Sequence, residues 1–312
     1  MSTNTFTVPS FAKINWNLRV LGKRVDGYHE IRTLLQTVSL HDNLSFTLRE
    51  DPDIVLSCND PYVPTDTNNL IIRAARALRD NFGVKSGAKI ALEKHIPVQA
   101  GLGGGSSNAA VTLLALAHLW ELPASITELR EIAASLGADV PFFFYGGCSL
   151  GTGVGTTLSP LPDHPTVPLL IVTPRAKVST SEAYGALHLS ALTSPASDSI
   201  LAVSRGSGNS KDFDQWSVPG EQANDFEQVI FDIEPEIARV KVALLQTGAR
   251  AALLAGSGSS VFGIFDNREA QQRAVQEIRV ESGWRVFSCD TISREEYFRA
   301  LGVCGTTLLR SS

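Results

Sequence analysis

The sequence predicts an α+β fold in two parts, and three observations predict it. Two strand-rich stretches, residues 6–22 and 31–48, open the chain. Helical runs with readable caps follow them. Beyond a proline-rich stretch holding Pro160, Pro162, Pro165 and Pro168, strand-like and helix-like segments alternate as in an open α+β sandwich. Prolines this dense break regular structure, so they mark the expected boundary between domains at 1–162 and 163–312. A chain of 312 residues has room for both.

The elements are justified in order. Residues 22–29, with Lys23, Arg24, Asp26 and Gly27, read as the turn between the first two strands. A helix is expected after Asp66–Thr67, ending at Gly83, and a strand over 87–95. An apolar helical run spans Ala109 to Trp120. Ser125 and Glu128 have capping-box spacing, and Gly137 supplies the stop of that helix. Residues 142–150 are aromatic and apolar, then glycine-rich to Gly155. In the second half a strand is expected at 169–172, and Ser179 with Glu182 repeats the capping-box spacing. Residues 190–222 read as a mobile loop. A helix runs from Pro235 to Gly248, strands cover 250–255 and 260–265, a polar helix covers 267–282, and a strand closes the pattern at 284–288.

Composition excludes several classes. Hydrophobic residues at 43 % and charged residues at 19 % are an ordinary globular balance, enough to fill a core. A net charge of −5 without a basic run argues against a nucleic-acid partner. No apolar run has the length of a membrane span, so no membrane partner is expected. Cys58, Cys148, Cys289 and Cys304 are scattered without metal-ligand spacing and read as four reduced thiols. Strand pattern from Phe6 leaves no room for a leader, so the expected location is cytoplasmic; a form processed after import into a plastid reads the same.

Residues 97–110, Pro-Val-Gln-Ala-Gly-Leu-Gly-Gly-Gly-Ser-Ser-Asn-Ala-Ala, carry the strongest chemical signal. Glycines here admit close approach of a ligand to the backbone, and the helix that follows presents unpaired N–H groups and the positive end of its dipole. Such a loop is either a turn or a phosphate cradle. It is neither a Walker A loop nor Gly-x-Gly-x-x-Gly, because Ser106 replaces the last glycine. Asp139, in Gly137-Ala138-Asp139-Val140-Pro141, follows a helix stop. Pro141 is expected to extend the chain at Val140, leaving Asp139 on a surface turn or facing a cleft. Lys13, Asn15 and Asn17 share one face of the first strand, which reads equally as a solvent edge or a site wall. Tyr28 and His29 combine an aromatic face with an imidazole, either as a packed turn or as a support for a planar base. Gly256-Ser257-Gly258-Ser259-Ser260 reads as a hairpin turn or a second backbone clamp on an anion.

Taken in order, these segments resemble the GHMP kinase superfamily, most closely the branch acting on a cytidine diphosphate-linked methylerythritol. The resemblance rests on Ala12-Lys13-Ile14-Asn15, Asp26-Gly27-Tyr28-His29, Pro97 to Asn108, Gly137 to Phe143, Asn224-Asp225-Phe226-Glu227 and the glycine/serine loop at 256–260. It implies a ribosomal protein S5 domain 2-like N-terminal domain that binds ATP and a ferredoxin-like C-terminal domain. It implies transfer of the γ-phosphoryl of ATP, with Mg²⁺, to the 2-hydroxyl of the acceptor in the non-mevalonate isoprenoid pathway. By the same resemblance Lys13 and Asp139 are catalytic. ATP falls to Asn69, Lys94, Pro97, Val98, Gln99, Ala100, Gly101, Leu102, Gly103, Gly104, Gly105, Ser106 and Ser107, with Ser107 also read as a Mg²⁺ ligand. The acceptor falls to Asn15, Tyr28, His29, Thr180 and Gly258. Asn108 replaces a common aspartate and is expected to act as an N-cap oxygen. Trp16 replaces a common leucine and is expected to alter packing under Asn15 and Asn17. Alternatives are a sibling kinase for mevalonate, homoserine or a sugar, and a sensor that binds nucleotide without chemistry. A monomer and a homodimer fit equally.

Overall fold

The computed structural model describes residues 5–187 and 222–309. The loop expected at 190–222 therefore lies outside the described residues, except for its last position. Strands β1 (Thr5–Lys23) and β2 (His29–Arg49) form one long antiparallel hairpin, with register shifts between Phe11 and Ala12, between Asn15 and Asn17 and between Val20 and Gly22. Such bulges re-aim side chains along a strand. Strand β3 (Ile54–Cys58), unanticipated from the sequence, runs parallel to β4 (Gly87–Glu93). Helix α1 (Leu70–Phe82) makes the crossover between them and stops at Gly83, whose φ of 66° is left-handed. The first sheet has the order β3-β4-β2-β1, then the two-residue strand β8 (Ala223–Asn224), with β5 (Cys148–Thr152) on β2 and β6 (Thr157–Pro160) on β5.

Helices α2 (Gly104–Leu119) and α3 (Ile126–Leu136) complete that layer. Residues Ala109 to Leu116 of α2 are all buried, which explains a run apolar on every side: it is the central helix, between the sheet and its neighbours α1 and α3. Helix α3 opens on the expected Ser125–Glu128 capping box.

The second sheet has the order β11 (Arg285–Asp290), β7 (Pro168–Thr173), β10 (Val261–Ile264), β9 (Ala251–Leu254), every pair antiparallel. That is the fourth-first-third-second order of a ferredoxin-like unit. Its helices are α4 (Thr180–Ala186), α5 (Glu227–Ile233), α6 (Pro235–Gln246) and α7 (Arg268–Glu277). Leu170, Val172, Leu254 and Val261 pack with residues of α5, α6 and α7, whereas Leu169, Ile171, Leu253 and Phe262 pack against Ala12, Ile14 and Trp16 of β1. Burial on both faces is why β7 reads as an unbroken apolar run.

Two parts of the second half return to the first. The short strand β8 (Ala223–Asn224) adds to β1 in parallel. Helices α8 (Arg294–Ala300) and α9 (Val303–Leu309) place Tyr297, Phe298, Leu301, Cys304 and Leu308 in the N-terminal core. The sequence pattern past Tyr297 carried no readable signal of this.

Candidate active site

The site is built around Lys13. Its backbone N–H donates to the Leu102 carbonyl at 2.9 Å, which ties β1 directly to the glycine loop. The side chain is buried, only 4 % exposed, and Nζ donates to Asn15 Oδ1 at 2.9 Å. Asn15 Nδ2 in turn donates to Thr33 Oγ1 on β2. The face holding Lys13 and Asn15 is thus an interior wall, not a solvent edge. Asn17 is also buried, one bulge further on. Trp16 points the other way, into the contact between the sheets, edge-on to Phe262 at 5.8 Å. Its bulk therefore fills that interface rather than the space beneath Asn15 and Asn17.

The glycine loop is clamped at both ends and open in the middle. Ile96, Ala100 and Leu102 sink into the core between the sheets, while Val98 and Gln99 stay exposed. Gly101 meets the second glycine loop so closely that a Cβ there would overlap the Ala255 carbonyl oxygen. Ser260 N–H donates to the Ala100 carbonyl at 3.2 Å, making the two loops one unit. Gly103 is the N-cap of α2, left-handed at φ 68°, and no side chain caps the helix. The N–H groups of its first turn are therefore left for a ligand. Gly104 is buried, Gly105 is exposed and Ser106 is half-buried.

One expectation is corrected here. Asn108 is not an N-cap: it lies inside α2, buried, and its Oδ1 accepts from Ser10 Oγ at 2.7 Å. The loop's last glycines are helical, which moves the start of the helix ahead of the serines. Ser107 is fully buried, and its hydroxyl accepts from the same Ser10 hydroxyl at 2.7 Å, so it is engaged within the fold.

Asp139 comes from the other side. The expectation that the chain extends at Val140 is also corrected: Val140–Phe144 forms a 3₁₀ helix with Pro141 in its first turn, where a missing N–H costs nothing. Asp139 precedes this helix and its carboxylate does not cap it. Asp139 Oδ2 instead stands 3.5 Å from Lys13 Nζ, with 42 % of the side chain exposed. The acid therefore has a cation on one side and open space on the other.

The Gly256–Ser260 segment is the hairpin turn that was one of its two expected readings. It joins β9 to β10, and it closes on the site. A Cβ at Gly256 would lie 3.2 Å from Lys13 Nζ, and Thr180 Oγ1 at the start of α4 is 3.2 Å from Ser257 Oγ. The Asn224–Glu227 stretch holds this hairpin in place. Asn224 Nδ2 donates to the Leu254 and Gly256 carbonyls, Glu227 Oε1 accepts from Leu254 N–H, and Asp225 pairs with Arg19 at 2.9 Å.

Beyond Lys13 the site is walled by aromatic side chains. His29 stacks on Tyr184 at 4.7 Å and 22°, and Tyr184 meets Phe226 edge-on at 4.8 Å. Tyr28 is 66 % exposed at the hairpin tip. Burial, then the charge of Lys23, holds the His29 imidazole below the ordinary histidine value. Burial, then the charge of Asp139, pushes the Tyr184 phenol up to about 12. That second cause links the aromatic wall to the acid. Sequence reasoning missed Tyr184; its capping box located the helix but could not show which face looks at His29.

Asn69 and Lys94 do other work in the fold. Asn69 caps α1, accepting from Ile71 N–H and donating to the Pro64 carbonyl. Lys94 Nζ is paired with Asp42 Oδ2 at 2.8 Å and donates to the Ile96 carbonyl. Asp42, also missed, accepts from the His95 and Ile96 N–H groups as well. Lys94 nevertheless lies beside the first turn of α2, since a Cβ at Gly104 would come within 3.2 Å of its Nζ. Among the described residues no group of three or more His, Cys, Asp or Glu could hold a metal ion.

Comparison with known proteins places this geometry. The models for the GHMP kinases N terminal domain and the GHMP kinases C terminal match residues 69–147 and 211–281. A 4-diphosphocytidyl-2-C-methyl-D-erythritol kinase of Syntrophotalea carbinolica is 41 % identical over 282 residues, covering 90 % of this chain and 97 % of the relative. The chain belongs to the GHMP kinase family. A kinase of the same description from Lachnoclostridium phytofermentans is 40 % identical over 276 residues, 88 % of this chain and 92 % of its own. A crystal structure of 4-(cytidine 5'-diphospho)-2C-methyl-D-erythritol kinase aligns with a TM-score of 0.73 at 34 % identity, covering 92 % of this chain and 99 % of that one.

Proposed function

We propose that the chain is an ATP-dependent kinase that phosphorylates the 2-hydroxyl of 4-diphosphocytidyl-2-C-methyl-D-erythritol, a step of the non-mevalonate isoprenoid pathway. The observation that carries it is the convergence of Lys13, Asp139 and the uncapped N-terminus of α2 on one open space. Relatives of that name at 40–41 % identity over most of their length support the choice of acceptor.

In this reading the first-turn N–H groups of α2 hold the triphosphate, and Mg²⁺ would supply charge neutralisation to the phosphates of ATP. Asp139 orients the acceptor hydroxyl in line with the γ-phosphorus and takes its proton as the new O–P bond forms. The bond between the γ-phosphorus and the bridging oxygen breaks, and ADP leaves with the electron pair. Lys13 offsets the charge on the transferring group. Asn15, Thr180 and the loop at Gly258 flank the acceptor, and Tyr28, His29 and Tyr184 offer flat surfaces for its cytosine. Mevalonate, homoserine and sugars have no base to use that wall, and a sensor has no need of the pair. The test is coupled ADP release with the cytidine diphosphate-linked acceptor beside mevalonate, homoserine and a hexose. Turnover is expected with the first alone; equal turnover with any of the others would sink this choice of acceptor.

A further inference from the structure

Helix α8, which follows the second sheet, reaches back to the segment that continues from Asp139. It is set by a Ser293–Glu296 capping box. Its first residue, Arg294, spreads its guanidinium over the segment leaving the 3₁₀ helix, donating to the carbonyls of Tyr145 at 3.1 Å, Cys148 at 2.6 Å and Leu161 at 3.1 Å. One helical turn on, Tyr297 is fully buried, its ring against Gly146, where a Cβ would overlap it. The Tyr297 hydroxyl donates to the Phe143 carbonyl at 2.6 Å. That carbonyl sits at the end of the 3₁₀ helix, among those left without a partner inside it. Burial pushes the phenol up, so Tyr297 stays a donor.

Phe143 is not a bystander. A Cβ at Gly103, the N-cap of α2, would lie 2.8 Å from Lys13 Cγ and 3.1 Å from Phe143 Cζ. One short helix thus begins at Asp139, packs the ring of Phe143 beside the glycine loop and the stem of Lys13, and is held at its far end by Tyr297. We propose that Tyr297 is a positioning residue for phosphoryl transfer: its bond to Phe143 fixes the turn that sets Asp139 against Lys13 and the γ-phosphoryl. This rests on the kinase reading above. Binding of either substrate needs no such bond; alignment of the acid does, and a small misplacement of a reacting group costs rate rather than affinity.

Tyr297→Phe keeps the ring and removes only the hydroxyl. Steady-state kinetics should show kcat lower by about tenfold with the KM for ATP and for the acceptor each within about twofold. Leu301→Ala, in the same buried layer but without a bond to the 140–146 turn, serves as the stability control. It should lower the melting temperature at least as far while leaving kcat within about twofold. Wild-type turnover in the same assay reports on the kinase reading separately. An unchanged kcat in Tyr297→Phe, a change confined to KM, or an equal loss of kcat in Leu301→Ala would each overturn the proposal.

Discussion

Two lysine–aspartate pairs flank the same glycine loop, and they are built in opposite ways. Asp42 is buried and the Lys94 side chain is only 7 % exposed, 2.8 Å away, and Asp42 accepts two backbone N–H groups besides. Burial pulls the Lys94 ammonium below the ordinary lysine range while Asp42 opposes that shift. Lys13 and Asp139 stand 3.5 Å apart, and the acid has no other partner among the described residues and keeps an open side. A carboxylate whose acceptor sites are filled holds a chain in place. One with sites to spare can take a proton. The same two residue types become a joint in one place and, in the proposed reaction, a reactive pair in the other, through satisfaction of the carboxylate.

That contrast can be broken most sharply at Asp139. Asp139→Asn is expected to lower kcat by about 10²–10⁴-fold with little change in melting temperature, since it removes a proton acceptor but no packing. A loss of activity no larger than tenfold, measured by coupled ADP release, would reduce Asp139 to an orienting group.

The mirror-image change is Asp42→Asn. It leaves the Lys94 charge buried without its partner and should cost about 3–5 kcal/mol of stability, read from denaturant unfolding. The folded fraction should keep a near-normal kcat with a raised KM for ATP, because the turn into the glycine loop loosens. Loss of kcat without loss of stability would erase the distinction between the pairs.

The smallest expected effect lies at His29. With its pKa depressed, the folded protein resists protonation that the unfolded chain accepts. Stability from this group is therefore full above the ordinary histidine value and declines as pH falls through and below it. Acceptor KM should be flat through neutral pH and rise only on the acid side, and His29→Gln should flatten that limb. An acceptor KM that already changes between pH 7 and 8 would assign the titration to another group.

How much of this was legible follows from the range of each signal. Caps and stops act within a turn of helix, so Ser125, Ser179, Gly83 and Pro235 could be read directly. The order of motifs carried the family. What failed to read was non-local. Val140 entered a 3₁₀ helix because tertiary packing buries the whole Val140–Phe144 turn, overriding the preference of a residue before proline. Asn108 became an interior residue because the helix begins at Gly104. Asp42, Tyr184 and Tyr297 left no local mark, since their partners lie 52, 155 and 154 positions away in the chain.

Local pattern alone carried the α+β plan in two parts, most helix ends and the glycine loop ahead of α2, because each depends on dihedral preference and periodicity over a few neighbours. Packing across the fold set which lysine faces an open-sided acid, which serine is engaged in the core, and that α8 and α9 brace the first sheet. Those outcomes depend on which groups exhaust one another's hydrogen-bonding capacity across the fold, and spacing along the chain does not encode that.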